Sequence, residues 1–346
     1  MDPRLVIPRD YRPCLDVHEV EAAIKEIKDF FQSNLAAALN LRRVSAPLFV
    51  RAGTGVNDDL NGVERPVRFS VRGDGDAEVE IVQSLAKWKR LALARYGFQT
   101  GAGLYTDMNA IRPDEELDNL HSVYVDQWDW ERILGPEERT VETLRAAVES
   151  IYDVLCRTEF HIASLHATIR PTLPERITFV TAEELARDLP DASPKEREHR
   201  VCAEHGAVFV MGIGGALADG RPHDGRAPDY DDWSTPRPDG GHGLNGDILV
   251  WNPVLGCAFE LSSMGIRVDA EALRRQLTLR QCLDRVELPF HKRLLAGELP
   301  QTMGGGIGQS RLCMFLLRAA HIGEVAVGIW PREMERACAD AGIFLL

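Results

Sequence analysis

Met303-Gly304-Gly305-Gly306-Ile307-Gly308-Gln309-Ser310-Arg311 places four glycines within five consecutive positions, followed by an arginine. Glycine lets a backbone approach a ligand closely and adopt conformations that a Cβ atom forbids. Beyond Gln309 the apolar residues recur at helical spacing, at Leu312, Phe315, Leu316 and Ala319. The stretch therefore predicts a glycine-rich strand that runs into a helix. A cation in the first helical turn opposes the helix dipole, so Arg311 either contacts an anion or is solvated above a packing turn.

Polar residues interrupt other predicted strands. In the strand predicted at 121–130, Gln127 and Asp129 alternate onto the face of Val123 and Val125. In a hairpin predicted at 247–263, regular alternation places Glu260 with Ser262 on one face and Leu261 with Ser263 on the other, and Asp247 begins the opposing arm. Because buried charges are costly without partners, these residues either line a ligand cavity or lie on a solvated face of an antiparallel sheet.

Several basic residues are available to such a cavity: Lys87, Lys89, Arg112, Arg226, Arg267 and Arg311. Carboxylates together with arginines indicate a nucleoside triphosphate held by Mg²⁺, because Mg²⁺ prefers oxygen ligands and arginine makes planar contacts with phosphate. The sequence has no GxxxxGK[ST] phosphate loop. Any phosphate site must therefore be built in another way.

The remaining periodicity predicts a mixed α+β chain. Residues 1–17 are expected to be an N-terminal extension, and 18–346 a single catalytic domain that includes a long polar loop at 219–243. Helices are predicted at 18–39, 84–90, 140–167, 182–189, 194–204, 269–278, 284–296 and 331–341. Strands are predicted at 41–49, 65–71, 79–82, 121–130, 177–180, 206–213, 247–251, 257–263 and 325–330, with a further short strand ending at Arg112.

Composition limits the partners. The 346 residues are 45% hydrophobic and 27% charged, as in ordinary globular proteins. The net charge of −13 disfavours nucleic acid and anionic membranes as partners. No apolar run has the ~20 residues of a membrane helix. The seven cysteines form no CxxC pair, which indicates reduced thiols and a cytoplasmic location.

Two strings resemble signature motifs of class II aminoacyl-tRNA synthetases. Residues 304–311 are similar to the third motif, whose arginine contacts ATP, and Arg112-Pro-Asp-Glu115 is similar to the second, whose arginine contacts the α-phosphate. Longer strings are similar to ammonia-dependent asparagine synthetases (aspartate–ammonia ligases): Ser84-Leu-Ala-Lys-Trp-Lys-Arg90, His121-Ser-Val-Tyr-Val-Asp-Gln-Trp-Asp-Trp-Glu131, Arg226-Ala-Pro-Asp-Tyr-Asp-Asp-Trp233, Leu244-Asn-Gly-Asp-Ile-Leu-Val-Trp-Asn-Pro253 and Glu260-Leu-Ser-Ser-Met-Gly-Ile-Arg267.

The resemblance implies an α+β fold, a class II synthetase-like antiparallel β-sheet flanked by helices, in a cytoplasmic homodimer. It also implies synthesis of L-asparagine from L-aspartate, ammonia and ATP through β-aspartyl-AMP, with Mg²⁺ and with release of AMP and pyrophosphate. Arg112 and Arg311 are expected at the phosphates, and Asp58 is expected to accept protons from the attacking ammonium. The adjacent Asp59 leaves the register of that loop open by one residue.

The matching strings assign the other site residues. Expected in catalysis are Asp58, Arg112, Gln127 and Arg267. Expected around aspartate are Ser84, Lys89, Asp129, Asp231, Ser262 and Ser263, with Lys89 and Arg267 on its carboxylates and Asp129 and Asp231 on its α-ammonium. Expected around ATP are Arg226, Asp247, Glu260, Gly304, Gly306 and Arg311, with Asp247 and Glu260 also holding Mg²⁺.

Two alternatives fit the same fold. An aspartyl- or asparaginyl-tRNA synthetase-like enzyme would need to bind tRNA, yet no segment reads as a separate anticodon-binding barrel and the chain is acidic. A non-catalytic synthetase-like regulator that binds an amino acid predicts loss of at least one key charged residue. Arg112, Arg311, Asp247 and Glu260 are all present.

Overall fold

The glycine-rich stretch forms a central strand of the main sheet. A computed structural model describes residues 5–58 and 64–346. The helices are α1 Val17–Leu39, α2 Ala86–Arg95, α3 Val141–Leu165, α4 Ala182–Asp188, α5 Pro194–His205, α6 Ala270–Leu279, α7 Pro289–Leu295, α8 Gln309–Leu316 and α9 Arg332–Asp340. The strands are β1 Leu41–Arg43, β2 Phe49–Arg51, β3 Arg68–Val71, β4 Ala77–Ile81, β5 Gly103–Ile111, β6 Tyr124–Ile133, β7 Thr178–Thr181, β8 Ala207–Met211, β9 Asn245–Asn252, β10 Cys257–Ile266 and β11 Thr302–Gly308.

The main sheet has the strand order β1-β5-β6-β11-β10-β9-β8-β7 and is antiparallel except at its two edges, where β1–β5 and β7–β8 are parallel. A second sheet has the order β2-β4-β3. One large apolar cluster joins α1 and α3 to the sheet, and in it Phe31 stacks on Trp128 with a ring-centroid distance of 4.7 Å. This packing leaves the other face of β6, β11 and β10 for the polar residues.

Local signals explain the best-predicted elements. Asp16 caps α1 by accepting from the backbone N–H groups of His18 and Glu19, and Glu19 completes a capping box. The glycine strand does run directly into α8, as its sequence predicts. Ser84 lies one residue before the N-cap of α2, and its hydroxyl accepts from the N–H of Ala86 at 3.1 Å.

Three strand predictions were wrong in part. The strand predicted at 41–49 divides into β1 and β2, which belong to different sheets, because Pro47 between them cannot donate to a ladder. The strand predicted at 325–330 is irregular, and its Val327 and Ile329 are exposed. The short strand predicted to end at Arg112 is the nine-residue β5, which ends at Ile111.

The segment before α1 packs on the rest of the chain. The N–H of Val6 donates to Asn119 Oδ1 at 2.7 Å, and the Tyr11 hydroxyl donates to Glu324 Oε2 at 3.0 Å. All seven cysteines are free thiols. No helix within the described ranges is long and apolar enough to cross a bilayer.

Candidate active site

A cavity of about 290 Å³ lies on the polar face of β6, β11 and β10. It brings together residues that the sequence places far apart. The predicted site residues that line it are Asp58, Ser84, Arg112, Gln127, Asp129, Asp231, Glu260, Ser263, Arg267, Gly306 and Arg311. The cavity interpretation of the polar strands is therefore the correct one.

The glycines of β11 make room for neighbouring side chains. Gly306 pairs with Asp129, and a Cβ atom at Gly306 would overlap the side-chain amide of Gln127. A Cβ atom at Gly304 would overlap the Glu131 carboxylate and lie 2.7 Å from Arg267 Nη2. Any nucleotide must therefore share this face with protein side chains that already use the space left by the glycines.

We expect Gly304→Ala to destabilise the fold by about 1–3 kcal/mol, because the new methyl group would displace Glu131 and Arg267. Denaturant unfolding measures the effect. Gly73→Ala is the matched control, since a Cβ atom at Gly73 has no heavy atom within 4 Å. Equal behaviour of the two variants would contradict the close packing at Gly304.

A β-bulge in β10 corrects the predicted faces of that strand. The pairing with β9 shifts between Glu260 and Ser262, so Glu260 and Ser263 both reach the cavity. Ser262 instead pairs with Ile248 and Ile307, which belong to the apolar core. Ser262, predicted to bind aspartate, is buried and is not among the cavity-lining residues.

A network of buried charges forms the floor of the cavity. Arg267 donates through Nε and Nη2 to the Glu131 carboxylate at 2.8–3.1 Å, and its Nη1 contacts Asp231. Burial tends to lower the pKa of Arg267, but the nearby carboxylates of Glu131 and Asp231 raise it above its usual value. Burial raises the pKa of Asp231 despite the guanidinium beside it. This network holds Arg267 in one orientation.

Lys89 belongs to the same network. It is fully buried behind the cavity, where its Nζ contacts Asp129 and donates to the carbonyl oxygens of Trp130 and Gly305 at 2.9 and 3.2 Å. Lys89 and Arg267, expected on the substrate carboxylates, thus already have carboxylate partners. The direct ion pairs of this network join two cations, Lys89 and Arg267, to three carboxylates, Asp129, Glu131 and Asp231.

Two arginines that line the cavity, Arg112 and Arg311, retain available donors. Arg112 and Arg311 are each about one quarter exposed, and their nearest carboxylate oxygens lie 3.9 Å away, on Glu115 and Glu260. Arg112 donates only a long bond of 3.4 Å, to the carbonyl of Gln83, and within the described chain its buried Nε has no hydrogen-bond partner. Such guanidinium groups suit an anionic ligand.

A second cavity of about 290 Å³ adjoins the first and shares Arg112, Glu115, Tyr230 and Ser263 with it. Arg226 lines the second cavity and contacts Asp247 in β9. Burial, together with the charge of Glu260, raises the pKa of Asp247 to about 6 against the opposing effect of Arg226. Asp247 Oδ1 is buried and has no hydrogen-bond partner among the described residues. This oxygen is suited to a cation.

The sequence from residue 18 to residue 342 matches the family described as aspartate-ammonia ligase. The chain belongs to the aspartate–ammonia ligase family. It is 57% identical over 343 residues to the aspartate–ammonia ligase of Clostridium perfringens strain SM101, and 56% identical over 342 residues to that of Bacteroides fragilis strain YCH46. Each alignment covers 99% of both chains.

Solved structures share the fold of this ligase family member at low sequence identity. Asparaginyl-tRNA synthetase from Pyrococcus horikoshii complexed with asparaginyl-adenylate has a TM-score of 0.66 and is 16% identical, and the match covers 90% of this chain and 70% of that one. The Entamoeba histolytica asparaginyl-tRNA synthetase has a TM-score of 0.64 and is 14% identical, with 90% and 67% covered. The likeness confirms the predicted class II synthetase-like sheet flanked by helices.

Two residues of the ligase site were missed from the sequence. Tyr230 lines both cavities, and the Arg267 guanidinium lies 5.6 Å from its ring centroid. Glu131 holds Arg267 and Lys89 from beneath. Both residues lie inside the strings that resemble the family. Tyr230 directly precedes Asp231 and Glu131 is two residues after Asp129, so their positions could have identified them as site residues.

Proposed function

We propose that this cavity activates L-aspartate with ATP and then joins the activated acyl group to ammonia, forming L-asparagine, AMP and pyrophosphate through β-aspartyl-AMP. Membership in the family makes the chain an ATP-dependent ligase that makes asparagine from aspartate and ammonia. The observation that carries the residue assignment is the placement of under-bonded arginines and an acidic network in one cavity.

The acidic network supports binding of the α-ammonium group of aspartate. Asp129 and Asp231 are buried carboxylates beside which a ligand can place a cation. Lys89 and Arg267 orient these carboxylates through the contacts described above. Ser84, Gln127 and Ser263 line the same cavity and supply neutral hydrogen-bonding groups for the rest of the substrate.

In the first step, a β-carboxylate oxygen of aspartate forms a bond to the α-phosphorus of ATP, and the bond to the pyrophosphate oxygen breaks. Arg112 neutralises charge on the α-phosphate. Arg311, in the first turn of α8, contacts the nucleotide. Arg226, in the adjoining cavity, is placed for the departing pyrophosphate. The step depends on position and charge neutralisation, because no protein nucleophile is required.

Mg²⁺ would be held by Asp247 and Glu260. Asp247 has an unpartnered buried oxygen, and Glu260 lines the cavity on the neighbouring strand. Among the described residues no group of three or more His, Cys, Asp or Glu could hold a metal. Mg²⁺ can be bound through one or two carboxylates, with phosphate oxygens and water as its other ligands. When bound, the ion would neutralise phosphate charge.

In the second step, ammonia forms a bond to the activated acyl carbon, and the bond to the AMP oxygen breaks. A base must take protons from the nitrogen as it attacks. Asp58 lines the cavity and is only 2% exposed. It can therefore accept a proton at a position shielded from bulk water. Asp59, the other candidate, lies outside the described residues.

We expect Asp58→Asn to lower asparagine formation by about 100-fold or more while leaving adenylate formation within a few-fold of wild type, because only the second step needs the base. Ammonium-dependent product analysis and aspartate-dependent ATP–pyrophosphate exchange measure the two steps separately. Asp59→Asn is the matched control. Equal loss in both assays would make Asp58 a substrate-binding residue only.

Incubation of the purified protein with ATP, Mg²⁺, L-aspartate and ammonium tests the proposed reaction directly. Asparagine, AMP and pyrophosphate should appear in equal amounts. Charging of total tRNA with aspartate or asparagine would instead favour a synthetase.

We also propose that the protein is a cytoplasmic homodimer. The free thiols support a cytoplasmic location. Light scattering on the purified protein tests the dimer.

A further inference from the structure

A second buried ionic cluster lies outside the cavity and is centred on Asp229. Its Oδ2 accepts from Lys87 Nζ at 3.1 Å and from His291 Nε2 at 3.0 Å, and Arg285 Nη1 lies 3.3 Å away. The side chains of Lys87, Asp229 and His291 are each no more than 2% exposed. Burial of so many polar groups is costly, so their close mutual contacts indicate a defined arrangement.

Asp229 directly precedes the cavity residues Tyr230 and Asp231. The same segment is held from α6, where Gln276 Nε2 donates to the carbonyl oxygens of Pro228 and Asp231 at 2.9 Å. The cluster therefore fixes the backbone of one wall of the cavity.

His291 also contacts the loop that leads to Asp58. The N–H of Phe290 donates to the carbonyl of Thr54 at 3.3 Å. An ideal Cβ atom at Gly55 would lie 3.1 Å from His291 Nδ1 and 3.0 Å from Leu288 Cβ. The loop therefore lies directly against the imidazole, on the side of the ring that does not bond Asp229.

We propose that Asp229 and His291 form a positioning pair, which fixes the Tyr230–Asp231 wall relative to the loop that carries Asp58. The proposal rests on the function assigned above to Asp58 and Asp231. Neither member of the pair lines the cavity, so both act through these neighbours. Of the arginines proposed for the phosphates, Arg112 and Arg311 lie elsewhere, after β5 and in α8, and Arg226 lies three residues before Asp229. We therefore expect the pair to affect aspartate and ammonia more than ATP.

Burial tends to raise the pKa of Asp229, yet Lys87, His291 and Arg285 together lower it well below its usual range. The carboxylate is thus a stable anion around which the two segments are assembled. We expect removal of the imidazole donor to let Asp229 move toward Lys87 and Arg285. The wall then shifts relative to the Asp58 loop.

The first test compares His291→Leu with His291→Gln in the full-length protein. The amide Nε2 of glutamine can still donate to Asp229, whereas leucine cannot. We expect His291→Leu to raise KM for aspartate about tenfold and to slow asparagine formation, with KM for ATP within about twofold of wild type. His291→Gln should restore most of the loss. Parallel rises in KM for aspartate and ATP, or equal behaviour of the two variants, would overturn the proposal.

The second test approaches the pair from the loop side. Gly53 and Gly55 lie in the same loop with φ of 71° and 72°, but a Cβ atom at Gly53 has no heavy atom within 4 Å. Alanine therefore adds similar backbone strain at both positions. Of the two methyl groups, the one at position 55 contacts His291 and the one at position 53 does not. Asparagine formation relative to pyrophosphate exchange should fall about tenfold in Gly55→Ala and stay unchanged in Gly53→Ala. Equal ratios in the two variants would contradict the coupling.

The wild-type protein separates failure of this inference from failure of the proposed function. If wild type shows no aspartate-dependent pyrophosphate exchange, the proposed function is wrong. If wild type makes asparagine but the His291 and Gly55 variants match their controls, only the positioning role is wrong. Circular dichroism and thermal unfolding of each variant confirm that it is folded before kinetics are compared.

Discussion

Arg112→Ala is expected to reduce aspartate-dependent ATP–pyrophosphate exchange by about 100- to 1,000-fold, the loss typical of removing one group that stabilises transition-state charge. Arg112 follows β5, lines both cavities and has a buried Nε without a partner in the described chain. Its donors are therefore available to the α-phosphate. The variant should remain folded, because the described residues give the side chain one long hydrogen bond, of 3.4 Å, and one ion pair at 3.9 Å.

Arg43→Ala is the control for that experiment. Arg43, in β1, pairs with Asp107 of β5, but its side chain is 55% exposed and neither residue lines the cavity. Exposed ion pairs contribute little, so exchange should be unchanged. Near-normal exchange in folded Arg112→Ala would count against an adenylate mechanism. Arg112→Lys should recover only part of the activity, since lysine cannot present a planar fork of donors.

Glu131→Ala is expected to lower the free energy of unfolding by about 3–5 kcal/mol and to abolish aspartate activation, because it removes one partner of a buried ionic network. The carboxylate is fully buried, bonds Arg267 and Thr302, and lies 3.6 Å from Lys89. The pKa of Glu131 stays below its ordinary value, because these cations outweigh the effect of burial. Urea unfolding followed by fluorescence gives the stability change.

Glu78→Ala provides the comparison for Glu131→Ala. Glu78 and Arg68 form a surface pair at 3.8 Å, with both side chains more than half exposed, so little change is expected. Glu131→Gln separates charge from shape: it should retain more stability than alanine and still lose aspartate binding. An unchanged unfolding midpoint in Glu131→Ala would contradict the prediction, because it would show that the network rearranges without loss of folding free energy.

The sequence was most informative where one local pattern had one structural solution. The glycine run followed by helical spacing predicted β11 and α8, and apolar periodicity predicted a helix over 18–39, which is α1. Most of the site residues expected from the strings that resemble the family line the cavity. These features depend on neighbours along the chain, so they can be read without knowing the fold.

Other features depend on contacts between distant segments. The bulge in β10 could not be predicted from the sequence of residues 260–263. That sequence is compatible both with regular alternation and with a one-residue shift in pairing. The pairing of Lys89 with Asp129 joins α2 to β6, and no periodicity within either element indicates it. The roles first expected for Lys89 and Arg267 therefore assumed that these cations lacked protein partners.

The ammonium site proposed at Asp129 and Asp231 has a consequence for which metabolites can occupy the cavity. A dicarboxylic acid without an amino group, such as succinate, has nearly the size of aspartate but brings no cation to these two carboxylates. It would place two more anions beside them in a buried setting. We therefore expect the site to discriminate among C4 acids by charge more than by shape. An amino acid that keeps the ammonium group but lacks a side-chain carboxylate should enter and block it.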